Sequence, residues 1–287
     1  VASDRLQYVP QDRRLGRNVN HDPRSRRFPV RSDVPIGSVD HVRHVGIFDQ
    51  GDIGSCTGNA ALGCLATGPF WHSLSESSRE HGPLSPTGRI SWSREGAEAV
   101  YSAATLIDPF PGDWPPEDTG SDGLSVAKVL KAAGWISGYR HAFSLSDLLA
   151  GLMQVPCIVG TEWMSAMNDP NDEGIAHPVG RTEGGHEYIC DGYEADRGLL
   201  WFTNSWGVGW GSLGTFAMPA EEFGILLDRQ GDATFFVPLT EPQPEPEPER
   251  DPDAILAGKL RDWAAIRRSP SIKARKAVRE WIEAKGL

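Results

Sequence analysis

The sequence is short of cysteine, with four in 287 residues, at positions 56, 64, 157 and 190. That is too few for a disulfide scaffold at this length. No CxxC occurs and no pair has zinc-ligand spacing, so neither a structural metal nor a metal site is expected. Free thiols in a reducing compartment are the expectation. Also missing is any apolar run of the roughly 18–20 residues that a spanning helix needs, which excludes membrane insertion by a helix. The first twenty residues, "VASDRLQYVPQDRRLGRNVN", lack an apolar signal core. The reading is cytoplasmic, with a virion or other assembly as the alternative. No internal repeat occurs.

Positive charge is scarce in the middle of the chain. Lys and Arg total 28 against 39 Asp and Glu, a net of −11. Residues 1–31 carry +5 and residues 251–287 carry +4, which leaves −20 between them. An acidic body excludes broad nucleic-acid binding by that body and leaves the basic ends as attachment segments. Composition is otherwise globular, 39% hydrophobic and 23% charged, with length enough for a real core.

Residues 1–34 are Arg- and Pro-rich without periodicity and read as a basic N-terminal arm. Residues 35–240 carry the globular pattern. Residues 241–252, "EPQPEPEPERDP", alternate Glu with Pro and read as an extended linker. Residues 253–287 hold two short helical patterns, striped by Leu256, Leu260 and Trp263 and by Val278, Trp281 and Ile282. Such stripes are too small for an independent core, so a docking tail for a protein partner or for self-association is expected. Within the body, "SCTGNAALGCLA", "SWSREGAEAVYSAATLID", "SVAKVLKAAG" (capped by Ser125, stopped by Gly134) and "SLSDLLAGLMQ" read as helices. "VPCIVGTEW", "HEYICDGYE", "GLLWFTNSW", "GTFAMP" and "ATFFVPL" read as strands. Helices first and an antiparallel sheet afterwards describe an α+β domain in two halves.

Cys56 opens the first of those helices. Free backbone N–H groups and the positive end of the helix dipole both favour its thiolate at neutral pH. A thiolate nucleophile needs a base and a group to orient that base. "GGHEYICDGY" supplies His186 and "FTNSWGVGWG" supplies Asn204, on strands that can lie side by side. Asn204 then accepts the imidazole N–H and fixes its tautomer. Cys64, Cys157 and Cys190 read as buried core thiols, and His177, in a Pro/Gly/Asp-rich loop, as a surface residue rather than a rival base.

These residues resemble the papain-like cysteine peptidases, of the kind without a classical pro-domain. The family places His and Asn roughly 130–150 residues after its Cys, and here His186 and Asn204 follow Cys56 by 130 and 148. The family's Q-G-x-x-G-S-C run stands intact from Gln50 to Cys56, and its N-S-W-G-x-G-W-G run from Asn204 to Gly211. "SVDHVR" (38–43) matches the start of the mature domain. The resemblance implies a two-lobed fold, with a helical left lobe carrying the nucleophile helix and an antiparallel β right lobe. It implies a peptidase that hydrolyses peptide bonds in peptide or protein substrates without a cofactor. Gln50 becomes an oxyanion donor together with the Cys56 N–H, and Trp206 covers the His–Asn hydrogen bond. Gly185, Glu187 and Trp206 become substrate-binding residues, with Glu187 favouring Lys or Arg at P2.

The sequence departs from that family at several points. Ile53 stands where many members have a disulfide cysteine, and Thr57 where an aromatic is usual. No Cys-x-Gly-Gly wall is recognisable between residues 64 and 125. About 34 residues precede the mature-like start, too few for the usual inhibitory pro-domain. The alternatives are a non-catalytic binding or assembly protein on this fold, and a cell-wall peptide amidase.

Overall fold

Helices crowd the first half of the chain and strands the second in a computed structural model that describes residues 4–8, 10, 12, 14–21, 34–85 and 88–239. The chain divides into two units, Val1–Glu241 and Pro242–Leu287, and every described residue belongs to the first. The Glu/Pro linker of 241–252 and the tail of 253–287 lie outside the described residues. Among the described residues, no helix is long and apolar enough to cross a membrane.

In the arm, β1 (Asp4–Leu6) pairs antiparallel with β2 (Val19–His21). The body begins with β3 (Val39–Asp40), followed by α1 (Cys56–Leu65), α2 (Phe70–Ser73), α3 (Glu76–His81), β4 (Leu84–Ser85), β5 (Gly88–Arg89), α4 (Arg94–Thr105) and α5 (Gly123–Ala132). Then come β6 (Gly138–Ala142), α6 (Leu145–Leu152), β7 (Cys157–Met164), β8 (Thr182–Glu194), β9 (Leu199–Thr203), β10 (Thr215–Pro219), α7 (Ala220–Asp228) and β11 (Asp232–Val237). The main sheet runs β10-β9-β8-β7-β11-β6, antiparallel throughout, and β3 pairs with the far end of β8. This is the α+β architecture expected from the sequence.

Strand alternation divides the interior into two cores. On β7, Cys157 and Val159 face one side while Ile158 faces the other, and Tyr188, Cys190 and Ile189 repeat this on β8. The first face packs with Leu148 and Leu152 of α6 and Phe223 and Leu226 of α7. The second packs with Ala60, Ala61 and Cys64 of α1, Val100 of α4 and Val126 and Leu130 of α5. All ten residues of α1 are buried, as suits a helix of small and apolar residues held between a sheet and other helices. The four cysteines are free and buried.

Ser93 and Ser144 cap α4 and α6 by accepting from the N–H groups of Gly96 and Asp147. α5 corrects the expected cap: its N-cap is Asp122, whose Oδ1 accepts from Ser125 N at 2.9 Å. Ser125 instead donates its hydroxyl to Asp122 Oδ2 at 2.8 Å from inside the first turn. Asp accepts at an N-cap as well as Ser does, and the preceding glycine-rich stretch hid the earlier start. Gly134 takes φ 73° just past the helix, as a stop residue does.

Candidate active site

Cys56 is the first residue of α1, which packs against β8. Its sulfur is fully buried, with the backbone N–H groups of Glu187, Gly16 and Thr57 directed at it. The β8 residue before Glu187 is His186, whose Nε2 bonds to Asn204 Oδ1 at 2.8 Å. The same Oδ1 accepts from Ser205 N at 2.7 Å, which holds the amide oxygen toward the ring. His186 Nδ1 has no hydrogen-bond partner. Trp206 lies over the imidazole with ring centroids 4.8 Å apart, and Trp163 meets it edge-on at 4.9 Å. These indoles keep water from the His–Asn bond.

Gln50 is also fully buried. Ser205 Oγ donates to its Oε1 at 2.6 Å, and its Nε2 donates to Ile53 O at 2.7 Å. Those two bonds fix the amide plane. The remaining Nε2 donation goes to the backbone carbonyl of Arg14 at 3.0 Å. A peptide carbonyl thus occupies the amide that the family resemblance assigns to an oxyanion.

That carbonyl belongs to the arm, which runs through the site in extended form and makes single bridges to Gly185 and Ser121. Arg17 N donates to Gly185 O at 3.0 Å on one side. On the other, Ser121 N donates to Gly16 O at 2.8 Å and Asn18 N to Ser121 O at 2.7 Å. Leu15 is buried in the first core. Gly16 passes so close to the loop before Cys56 that any Cβ there would strike the Gly54 carbonyl. Arg14 stacks its guanidinium 4.2 Å from the Trp206 ring centre and pairs with Asp12. Sequence reasoning missed these arm residues. The available signal was Leu15-Gly16, an apolar residue and a glycine inside an Arg-rich run.

The other expected site residues fall as follows. Gly185 meets the arm through its carbonyl, Trp206 covers His186, and Glu187 is wholly buried beside Arg17. His177 is exposed and pairs with Glu222 at 2.9 Å, away from these residues.

No protein-family model and no curated protein matches the chain. Among solved structures, the digestive procathepsin L 3 of the Tenebrio molitor larval midgut aligns at a TM-score of 0.50, with 16% identity, over 81% of this chain and 83% of that one. The chain has the papain-like fold. Xylellain, a cysteine protease from Xylella fastidiosa, is 21% identical over 84% of this chain and 100% of its own, at a TM-score of 0.47. A bromelain protease from Ananas comosus, solved with the E64 inhibitor, is 15% identical over 71% and 99%, at 0.46.

On this papain-like frame the expected neutral-pH thiolate is not the state described. Burial pushes the Cys56 thiol up to about 12, and the nearby Glu187 carboxyl adds to the rise. Burial also pulls His186 down to about 4, against the lift from its bond to Asn204. The sulfur sits at the helix start, but burial of both groups removes the water that would stabilise a charge on either. The pair is therefore neutral thiol and neutral imidazole.

His186 leaves a signature in stability. An imidazole pulled down to about 4 stabilises the fold fully above the ordinary value near 6.5. It loses that contribution as pH falls toward 4, about 3 kcal/mol in all. Arg14 and Asp12 also act on this ring, with opposite signs. The fall in Tm of the full chain between pH 6.5 and 4 should be shallower in His186→Gln. Parallel curves for the two proteins would remove His186 as a buried neutral group.

Proposed function

We propose that the chain is a cysteine-type peptidase acting through Cys56, His186, Asn204 and Gln50. The observation that carries this reading is the arm itself. The cleft accepts extended peptide backbone between Gly185 and Ser121, with the Arg14 carbonyl on the Gln50 amide and the Gly16 N–H directed at the thiol.

With substrate in place of the arm, His186 takes the Cys56 proton and the sulfur bonds to the carbonyl carbon. The oxygen gains the negative charge and is held by Gln50 Nε2 and the Cys56 N–H. The C–N bond then breaks, and the imidazolium gives its proton to the leaving amine. Water, losing a proton to His186, attacks the thioester, releasing the acid and the thiol. Asn204 holds the ring in the tautomer that presents Nδ1 to the sulfur. Solved relatives of the fold include named cysteine proteases, which agrees with the same reading.

An epoxide-type thiol-protease inhibitor tests it. The open form for the test is full-length Gly16→Val, in which the arm cannot seat. The inhibitor should label Cys56 stoichiometrically, and a casein or peptide mixture should be cleaved. Labelling should fail in the same protein carrying His186→Ala. Epoxide resistance of a Cys56 that small iodoacetamide still modifies would reject the peptidase reading.

A further inference from the structure

On the far side of Asn204 from the imidazole, three residues with buried, unpartnered polar atoms line one small cavity. The first is Asn204 itself. Its Oδ1 accepts from Ser205 N and from His186 Nε2, so its Nδ2 points the other way and bonds to no protein group. The second is Asn59, in the first turn of α1 with Cys56. Its Nδ2 donates to Ser55 O at 2.9 Å and to Ser55 Oγ at 3.0 Å. Those two acceptors fix which way the amide lies and leave Oδ1 without a donor. The third is Arg43. Its Nε donates to Val45 O at 3.2 Å and its Nη2 to Gly46 O at 3.0 Å, which leaves Nη1 turned inward against α1. Gly63 makes the room, since a Cβ there would fall 2.5 Å from that nitrogen. Burial pulls the Arg43 guanidinium down to about 10, against the opposite pull of Asp191. The cavity is about 10 Å³, enough for one water molecule.

The polarity of the walls decides what fits. Two of them donate and one accepts. An anion would meet the Asn59 carbonyl oxygen, and a cation would meet the guanidinium and the Asn204 N–H. A neutral molecule of this size that accepts twice and donates once is water, and three hydrogen bonds are usual for a buried one. We propose that one structural water sits here, accepting from Arg43 Nη1 and Asn204 Nδ2 and donating to Asn59 Oδ1, and that Arg43 and Asn59 are positioning residues for the His186–Asn204 pair. Leaving three such groups dry would be costly. With Nδ2 held in the cavity and Oδ1 on the ring, the Asn204 amide is fixed at both ends. That keeps the imidazole proton on Nε2 and leaves Nδ1 free to act as a base. The water also ties this amide to the helix that begins with the nucleophile. Its effect on rate rests on the peptidase reading, whereas the water and the tautomer do not.

A crystal structure of the full chain, with a second crystal soaked in sodium bromide, gives the first reading. A single water peak within hydrogen-bond distance of all three atoms is expected, without an anomalous bromide signal. A dry cavity, or bromide inside it, would overturn the proposal. Full-length Arg43→Met and Asn59→Leu test the link to the imidazole. These residues bond to different protein partners, and the element they share is the water. Nitrogen NMR of the unaltered chain should show His186 as the Nε2–H tautomer. Each variant should lower the ratio of Nε2–H to Nδ1–H roughly 5-fold, the worth of one neutral hydrogen bond. The double variant should lower it no further than either alone. Additive shifts would mean two separate packing effects, and an unmoved ratio in folded variants would detach the cavity from the ring. Either result would reject the positioning role. Where a variant does not fold, the water peak and the tautomer of the unaltered chain still decide, an Nδ1–H form counting against it. None of these readouts needs catalysis, so an inert Cys56 would sink the peptidase reading and leave them standing.

Discussion

Full-length Gly16→Val is expected to alkylate at Cys56 roughly 5- to 150-fold faster than the unaltered chain at neutral pH, the range set by an overpacking cost of about 1–3 kcal/mol. The geometry leaves the new side chain nowhere to go. Any Cβ at residue 16 enters the Gly54 carbonyl, and the loop carrying Gly54 is held by Gly54 N bonding to Asp118 at 2.8 Å. Arm and loop cannot both stay, and the arm is the element expected to yield, since the loop before Cys56 is tied to the body by Gly54 N on Asp118 and by Gln50 Nε2 on the Ile53 carbonyl. Its departure readmits water to the thiol and frees the Gln50 amide. The thiol then falls from about 12 toward the ordinary range, where the helix start and His186 govern it. Gly46→Ala, at a position with open space around it, is the control and should leave the rate unchanged. An unchanged rate in folded Gly16→Val would show that the arm does not control access to the nucleophile.

Much of this architecture could be read before any coordinates. Alternating apolar residues and turn residues mark β7 to β11, and helical runs opening at Ser91 and Ser144 mark α4 and α6, because both signals are local. Gln50, Cys56, His186 and Asn204 stood out through spaced motifs, and the fold brings His186 and Asn204 into contact at 2.8 Å. Three features were hidden, each for a different reason. β6 is "GYRHA" and its apolar pattern is weak, so its place beside β11 is a tertiary effect. The sequence shows that Cys56 starts a helix but says nothing of what lies over the sulfur, so the direction of its titration was misjudged. Arg43 and Asn59 belong to no motif, and only the fold sets them on the walls of one cavity with Asn204. Side chains brought together from positions so far apart in sequence have no local signature. The arm was legible as extended and basic, but its docking depends on Gly16 fitting under Gly54.

In the Gly16→Val background, Cys56→Ala and His186→Ala should each reduce peptide cleavage to the uncatalysed background, since one removes the bond-forming atom and the other the base and acid of both half-reactions. Cys64→Ser should cleave normally, because that thiol is buried on the core side of α1. Gln50→Ala should lose roughly 10²- to 10³-fold, the range for one oxyanion donor. Its residual activity reflects the Cys56 N–H, which stays aimed by the helix start. Asn204→Ala should lose less than His186→Ala, because Trp206 and Trp163 still hold the ring from two sides, while the bond that selects its tautomer is gone. Tm must be read alongside, since Ser205 bonds to both Gln50 and Asn204 and couples the two positions. Gln50→Ala and Asn204→Ala are therefore expected to be non-additive in a double variant. Normal turnover in folded Gln50→Ala would take that amide out of the chemistry and leave it as a strut for Ser205. The Arg14 carbonyl would then mark only where the arm rests, not where an oxyanion forms.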